Sequence, residues 1–449
     1  MKAQSRLFFI ALIAALAGFI FGFDTIVVSG AEQSIQKLWK LSDLLHGMAI
    51  GSALYGTVLG AFFGSWPTEH FGRKKTLLCI GSLYFISAMW SGLATDVYSF
   101  IIARFLGGVG IGISTVAAPL YISEISPPAK RGRMAGMFQF NIVFGILVAY
   151  FSNMLLAGIG EHAWRWMLGV EAIPAAIYTL LCFIIPESPR WLIGEKQDRA
   201  KGLEVLRLTN PDATEAEASA LADEIANHYG RAQSGGSRAS NPFWSKRLTI
   251  PIFLAIMVAF FNQLSGINAI LYFAPRIFEM TGLAQNTALL QSIGIGVTNL
   301  VFTLLGLWLI DRVGRKTLLY IGSFGYIISL GLVSWAFYSK NYAIVPTCIF
   351  AFIAAHAVGQ GAVIWVLISE IFPNEHRAAG QSLGSSTHWI FAALLTSVFP
   401  KMVSTFHPAT IFLFFTGMMV LQLLWVFKFV PETKGIPLEE IEEKLGMRS

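Results

Sequence analysis

YISEISPPAKRG at residues 121–132 returns, altered but legible, as LISEIFPNEHRA at 367–378. The same displacement carries GFD at 22–24 to GIN at 266–268, GRKK at 72–75 to GRKT at 314–317, and PESPR at 186–190 to PETKG at 431–435. The offsets all lie between 242 and 246 residues. In a chain of 449 residues such a repeat marks a duplicated unit, whose two copies place equivalent polar residues at pseudo-symmetric positions around a shared cavity.

Composition says what the duplicated unit is. With 55% hydrophobic residues, 13% charged residues and a mean hydropathy of +0.62, the chain is too apolar for a soluble globule. Hydropathy predicts about twelve spans of bilayer length, near 7–29, 45–68, 76–94, 98–122, 135–158, 165–185, 250–280, 286–309, 316–338, 343–371, 379–402 and 409–430. The first is too long for a signal peptide and lacks a small-residue cleavage site. The expected architecture is therefore an all-α membrane protein: a six-helix bundle over 1–185, a cytoplasmic linker with short helices over 186–248, a second six-helix bundle over 249–430 and a tail over 431–449.

Net charge is +6, yet this is no nucleic-acid signature, because about 25 of the 32 Lys and Arg fall in alternate loops on the side shared by both termini. That side is cytoplasmic by the positive-inside rule. Cys79, Cys182 and Cys348 all lie within spans and read as buried thiols rather than a disulfide framework. No nucleophile–base constellation, metal-ligand spacing or phosphate-cradling loop points to an enzyme, a metal site or a cofactor.

Polar residues inside the spans carry the functional signal. FFNQLSGINAILYFA, residues 260–274, sets Asn262, Gln263, Ser265 and Asn268 in hydrocarbon, where an unpaired amide costs several kcal/mol, roughly 2–7. Amides offer a donor and an acceptor on one planar head, which suits the hydroxyls of a polyol. Gly266 invites the helix to break there. The plainer role for such amides is to hold helices together. Trp365, His388 and Trp389 fall mid-span, where an indole can face the C–H side of a sugar ring. Asp24 lies about five residues short of the outer end of span one, and Arg104 about six residues in from the outer end of span four. At about 1.5 Å per residue the two reach similar depth, so they are expected to pair, either as a fixed structural ion pair or as a proton-carrying site.

Taken together and in order, GFD, GRKK, ARFLGG, SEISPPAKRG, PESPR, NQLSGIN, DRVGRK, SEIFPNEHR and PETKG resemble the sugar porter family of the major facilitator superfamily over essentially the whole chain. The resemblance implies two six-helix bundles that rock in alternating access. It also implies sugar contacts at Gln139, Asn262, Gln263, Asn268, Trp365, His388 and Trp389, with Phe21 and Tyr272 nearby. Asp24 with Arg104 resembles the pair of proton-coupled members. Glu69, Arg73, Glu124, Arg131, Asp311, Arg315, Glu370 and Arg377 look like the family's inner latch, a set of salt bridges that opens as the cavity turns inward. Departures from the pattern include Asn262 for the first of a Gln pair, His388 where an amide is common, and Ala362 for Pro; Ile146 is similar to the aliphatic choice of glucose carriers. The implied function is a monosaccharide:proton symporter of the inner (plasma) membrane. Its cargo would be an aldohexose such as glucose or galactose, or a pentose such as xylose. It is expected to act as a monomer in lipid, with the proton as its co-transported ion. A facilitative uniporter and a non-transporting sugar sensor are the alternatives.

Overall fold

The computed structural model describes residues 3–127, 131–210, 213–233, 242–373, 375–436 and 438–445, and they contain helices and no strand. The first half comprises α1 (Ala3–Leu38), α2 (Asp43–Phe63), α3 (Ser65–His70), α4 (Arg73–Leu93), α5 (Val97–Ile125), α6 (Arg131–Leu156), α7 (Ala163–Gly169) and α8 (Ala172–Cys182). A connecting region holds α9 (Pro189–Gly194), α10 (Arg199–Thr209) and α11 (Glu215–Gln233). The second half comprises α12 (Thr249–Leu264), α13 (Ile267–Tyr272), α14 (Ala274–Glu279), α15 (Gln285–Val313), α16 (Arg315–Ser339), α17 (Val345–Val358), α18 (Gln360–Ile371), α19 (Arg377–Thr405) and α20 (Pro408–Phe429), followed by α21 (Leu438–Lys444).

Ten stretches among the described residues are long and apolar enough to cross a membrane. The other two expected spans are accounted for by their sequences. Span six is broken into α7 and α8 around Val170 and Glu171, and span eleven lies inside α19, which is 29 residues long but carries Gln381, Ser385, Ser386, Thr387 and His388 on its inner half. Within each half the helices pack as a bundle, and the halves meet along α2 against α19 and α6 against α15. The α2–α19 contact is backbone to backbone: a Cβ added at Gly47 would fall 1.8 Å from the Ser397 carbonyl oxygen. Tyr55 and Ser397 hydroxyls, 3.1 Å apart, extend this seam. Cys182 and Cys348 are buried, but Cys79 is exposed on the outside of its bundle, because its position on α4 faces away from the neighbouring helices.

The repeated motifs have a shared mechanical basis. Gly72 (φ +93°) and Gly314 (φ +102°) turn the chain into the first turns of α4 and α16, and neither conformation suits a residue with a Cβ. Each opening turn exposes backbone N–H groups that a remote glutamate caps. Glu187 accepts from the amides of Arg73 and Lys74 at 2.9 and 3.1 Å, and Glu432 from those of Arg315 and Lys316 at 2.9 and 3.0 Å. Burial pushes the Glu187 carboxyl up despite its backbone donors. At Glu432 burial also works upward, but the donors from Lys434, Arg315, Lys316 and Thr433 outweigh it and hold this acid below the usual carboxylate range. Arg73 and Arg315 then reach the acids at the ends of α5 and α18: Arg73 binds Glu124 at 2.9 and 2.7 Å, and Arg315 binds Glu370 at the same two distances.

In the connecting region, Ile193, Leu206, Ala222 and Ile225 form a small separate core under α9, α10 and α11. The Gly- and Ser-rich stretch of the linker at 234–241 lies outside the described residues. The most consequential local feature is the break between α12 and α13. Gly266 takes φ +85°, the Ser265 hydroxyl donates to the Asn262 carbonyl at 2.7 Å, and a Cβ at residue 266 would meet the Phe415 ring at 2.8 Å. Gly266→Ala is therefore expected to destabilise the fold by about 1–2 kcal/mol or more, from left-handed backbone strain plus the Phe415 clash. A fall in the thermal midpoint in detergent is the expected result; an unchanged midpoint means that this glycine does not set the break.

Candidate transport site

The break at Gly266 gathers the amides of α12 and α13 into one chain of hydrogen bonds. Asn268 Nδ2 donates to Gln263 Oε1 at 2.7 Å, and Gln263 Nε2 donates to Asn262 Oδ1 at 2.9 Å. Gln263 Nε2 also lies 3.2 and 3.3 Å from the ring nitrogens of His388 on α19. Around His388 the aromatic residues close in: Trp365 at 5.1 Å between centroids, Trp389 at 4.7 Å, and Phe21 edge-on to Trp389 at 5.7 Å. Phe21 comes from α1, so both halves contribute to the wall. Trp389 Nε1–H is buried without a partner among the described residues. A donor left unpaired in such a place costs about 1–3 kcal/mol, and a polar ligand against the Trp389 edge would satisfy it.

Gln139, half-buried on α6, makes no hydrogen bond with this group among the described residues. Tyr272, fully buried at the end of α13, points elsewhere. It sits beside Thr25 and within electrostatic reach of Asp24 and Arg104, and its hydroxyl has no well-formed hydrogen bond.

Tyr272 thus leads to a second polar cluster. Arg104 donates to Asp24 Oδ1 at 2.5 Å and to the Asp24 backbone carbonyl at 3.0 Å, with the side chains of both residues at most 1% exposed. Glu171, in the break between α7 and α8, interacts with both and is likewise buried. Sequence reading missed Glu171 by taking AWRWMLGVEAIPAAIY as one continuous span; the available signals were Gly169 and Pro174 on either side of the break and an acid in a largely apolar run. Two carboxyl groups thus share one guanidinium in a dry setting, and the three groups balance in charge only when one of the two acids is neutral.

Toward the outer end a third cluster joins the halves. Arg276 of α14 donates to Glu32 of α1 through Nε at 2.8 Å and through a terminal nitrogen at 2.6 Å, and to Gln36 Oε1 at 2.6 Å. His46 Nε2 of α2 lies 2.7 Å from the same Glu32 carboxylate, and neither His46 nor Glu32 has any exposed surface. Gln33 donates to Glu279 at 3.0 Å beside them. These residues were not singled out from sequence, since a heptad-like polar face at a helix end looks like ordinary loop-proximal surface. Tyr150 of α6 adds a further cross-contact, its hydroxyl donating to the Leu271 carbonyl at 2.7 Å.

At the inner end the contacts stay within each half. Arg73–Glu124 belongs to the first bundle, and Arg315 with Glu370 and Asp311 (2.7 and 3.1 Å) to the second. The Glu69 carboxylate is exposed and forms no ion pair among the described residues, while its carbonyl accepts the Trp191 indole N–H at 2.6 Å. Arg377 keeps a buried Nε without a partner. The Arg131 side chain lies outside the described residues. The inner mouth is therefore unlatched between the halves wherever its residues are described, and the outer mouth is pinned.

Comparison with known proteins agrees with this architecture. Residues 10–445 match the family model described as "Sugar (and other) transporter". The D-xylose-proton symporter of Escherichia coli K12 is 34% identical, over 98% of this chain and 96% of the relative. The arabinose-proton symporter of Bacillus subtilis is 36% identical, over 97% and 94% respectively. Among solved structures, the partially occluded inward-open form of the xylose transporter XylE from E. coli superposes with a TM-score of 0.84 at 32% identity, covering 96% of this chain and all of that one. The chain belongs to the sugar transporter family of the major facilitator superfamily.

Proposed function

We propose that the chain couples the inward movement of a monosaccharide to that of a proton by alternating access. The single observation that carries the reading is the position of Tyr272. It ends the short helix that bears Asn268 and lies within electrostatic reach of Asp24 and Arg104, so one short element links the amide group to the buried charges. The sugar binds to Asn262, Gln263, Asn268 and His388, with Trp365, Trp389 and Phe21 against its apolar face and Gln139 reached from the first bundle. An aldohexose or a pentose has the size and the hydroxyl density for this lining. A proton taken from outside by the acid pair cancels its surplus charge and loosens the hold of Asp24 on Arg104. That gives the loaded protein a differential stability between its outward and inward states, which any coupled transition requires.

The Glu32–Arg276–His46 group acts as the outer bolt. The inner latch comprises Glu69, Arg73, Glu124, Arg131, Asp311, Arg315, Glu370 and Arg377. In the outward-facing state, acids and bases of this latch that here pair within their own half exchange partners across the cleft. Both termini lie in the cytoplasm, on the side where Lys and Arg are concentrated. The protein works as a monomer in the inner (plasma) membrane, because each chain contains its complete cavity. No bond of the sugar is made or broken, and the proton is the only co-transported ion.

In proteoliposomes with an imposed proton gradient, Asp24→Asn is expected to abolish uphill accumulation of sugar while exchange of labelled for unlabelled sugar continues. Accumulation that survives the change rules out proton coupling through this group and leaves a uniporter. Removing the guanidinium of the outer bolt strands buried Glu32 with His46 alone, a loss of the kind that costs about 3–5 kcal/mol. Arg276→Ala should shift spin-label distances between positions 37 and 285, across the outer groove, toward longer values. An unmoved distribution means the cluster does not hold the outside shut.

A further inference from the structure

His356 was not singled out from the sequence, and its surroundings are unusual for a core histidine. On α17, Thr347 and Ala351 are exposed and mark the outward side of the helix. His356 follows Thr347 by nine residues, which at about 100° per residue places it half a turn away, on the inward side. Its companions on that side, Ile349, Phe352 and Ile353, are completely buried. His356 nevertheless keeps partial exposure. Exposure on a face otherwise packed into the bundle is what a residue bordering internal space shows. The ring also lies within electrostatic reach of His388, which is in contact with Gln263. Gly361, one turn along in α18, leaves the far edge of the imidazole uncovered: a Cβ there would sit 3.5 Å from His356 Nε2.

Hydrogen bonding fixes what that edge offers. The Tyr326 hydroxyl is 2.7 Å from His356 Nδ1, its only partner among the described residues. Tyr326 is completely buried and its ring packs against Phe352 at 5.4 Å. A hydroxyl in such surroundings cannot leave its hydrogen unpaired without cost, so it donates to Nδ1. The neutral imidazole then carries its proton on Nε2. Nε2–H has no protein acceptor among the described residues and lies on the edge that Gly361 leaves uncovered. The imidazole is thus satisfied at Nδ1 and open at Nε2.

We infer that His356, held in one tautomer by Tyr326, is a further substrate-contacting and specificity-determining residue, donating its Nε2–H to one oxygen of the sugar. The inference rests on the sugar-carrier reading and adds to it a donor from α17, within electrostatic reach of His388. Tyr326 is a positioning residue: it sets the tautomer and the ring orientation.

The test is a cycle between protein and ligand. D-glucose, D-xylose and the series of glucose analogues with one hydroxyl replaced by hydrogen or fluorine compete against labelled sugar on the full-length chain in proteoliposomes, for the wild type, His356→Phe and Tyr326→Phe. In the wild type each deletion of a contacted oxygen weakens binding. In His356→Phe the parent sugar is expected to bind about tenfold more weakly, the worth of about one hydrogen bond, and the penalty for modifying one particular position should vanish while the other penalties persist. Tyr326→Phe frees the tautomer and should give the same change at the same position in smaller measure. Because each penalty is a ratio within one variant, a general loss of folded protein does not mimic the result. Unchanged penalties at every position in His356→Phe, or a uniform weakening of the whole series, overturn the inference alone. Failure of the wild type to bind any monosaccharide of the panel overturns the sugar-carrier reading and this inference with it.

Discussion

Two buried acids compete for one guanidinium at the heart of the first bundle, and the remaining architecture is arranged around that imbalance. Asp24, Arg104 and Glu171 come from α1, α5 and the break between α7 and α8, so three separate parts of the bundle must keep their registers for the cluster to exist. Withdrawing a charge from water costs several kcal/mol. Here the cost is met only in part by protein partners: Asp24 Oδ2 and Glu171 Oε1 are buried with no hydrogen-bond partner among the described residues. Tyr272, within electrostatic reach of Asp24 and Arg104, links the cluster to the second bundle, where the same short helix carries Asn268.

Duplication explains why the two halves are mechanically alike and chemically different. The glutamate caps, the glycine turns and the arginine–glutamate pairs recur almost atom for atom at the inner ends of α4 and α16. Deeper in, the copies diverge. The GFD of α1 holds a carboxylate against Arg104, and its counterpart GIN holds an amide against Gln263. One ancestral position has thus become a carboxylate paired with a guanidinium in one half and a member of a hydrogen-bonded amide chain in the other. The frame that carries them has stayed the same.

Much of this was legible in the residues. Rise per residue alone matched the depths of Asp24 and Arg104, and Gly266 amid amides gave the break between α12 and α13. The repeat gave the doubling of the bundle. What escaped notice shares a physical cause. Glu171 occupies a break flanked by Gly169 and Pro174, and hydropathy alone ran the two short helices together into one span. Glu32, His46 and Arg276 meet only because α1, α2 and α14 converge at the outer mouth, and the Tyr326–His356 pair spans two helices whose facing sides cannot be paired from one sequence. Cys79 was misjudged for the complementary reason. Hydropathy reports that a segment is in the membrane, and it does not report which side of a helix faces the bundle. The arginines and acids of the repeated Gly-Arg-Lys turns and Ser-Glu-Ile motifs were picked out from the sequence, yet their partners in this state, each within its own half, follow from tertiary arrangement alone.

The seam between α2 and α19 has a mechanical corollary. With Gly47 pressed against the Ser397 carbonyl, the surfaces that meet there are bare main chain, with no compressible side chain between them. Cushioned contacts yield gradually; a contact between two rigid rods is either seated or parted, and in between it merely admits water. The outer mouth should therefore click rather than glide. A mouth closed along such a seam spends little time half open.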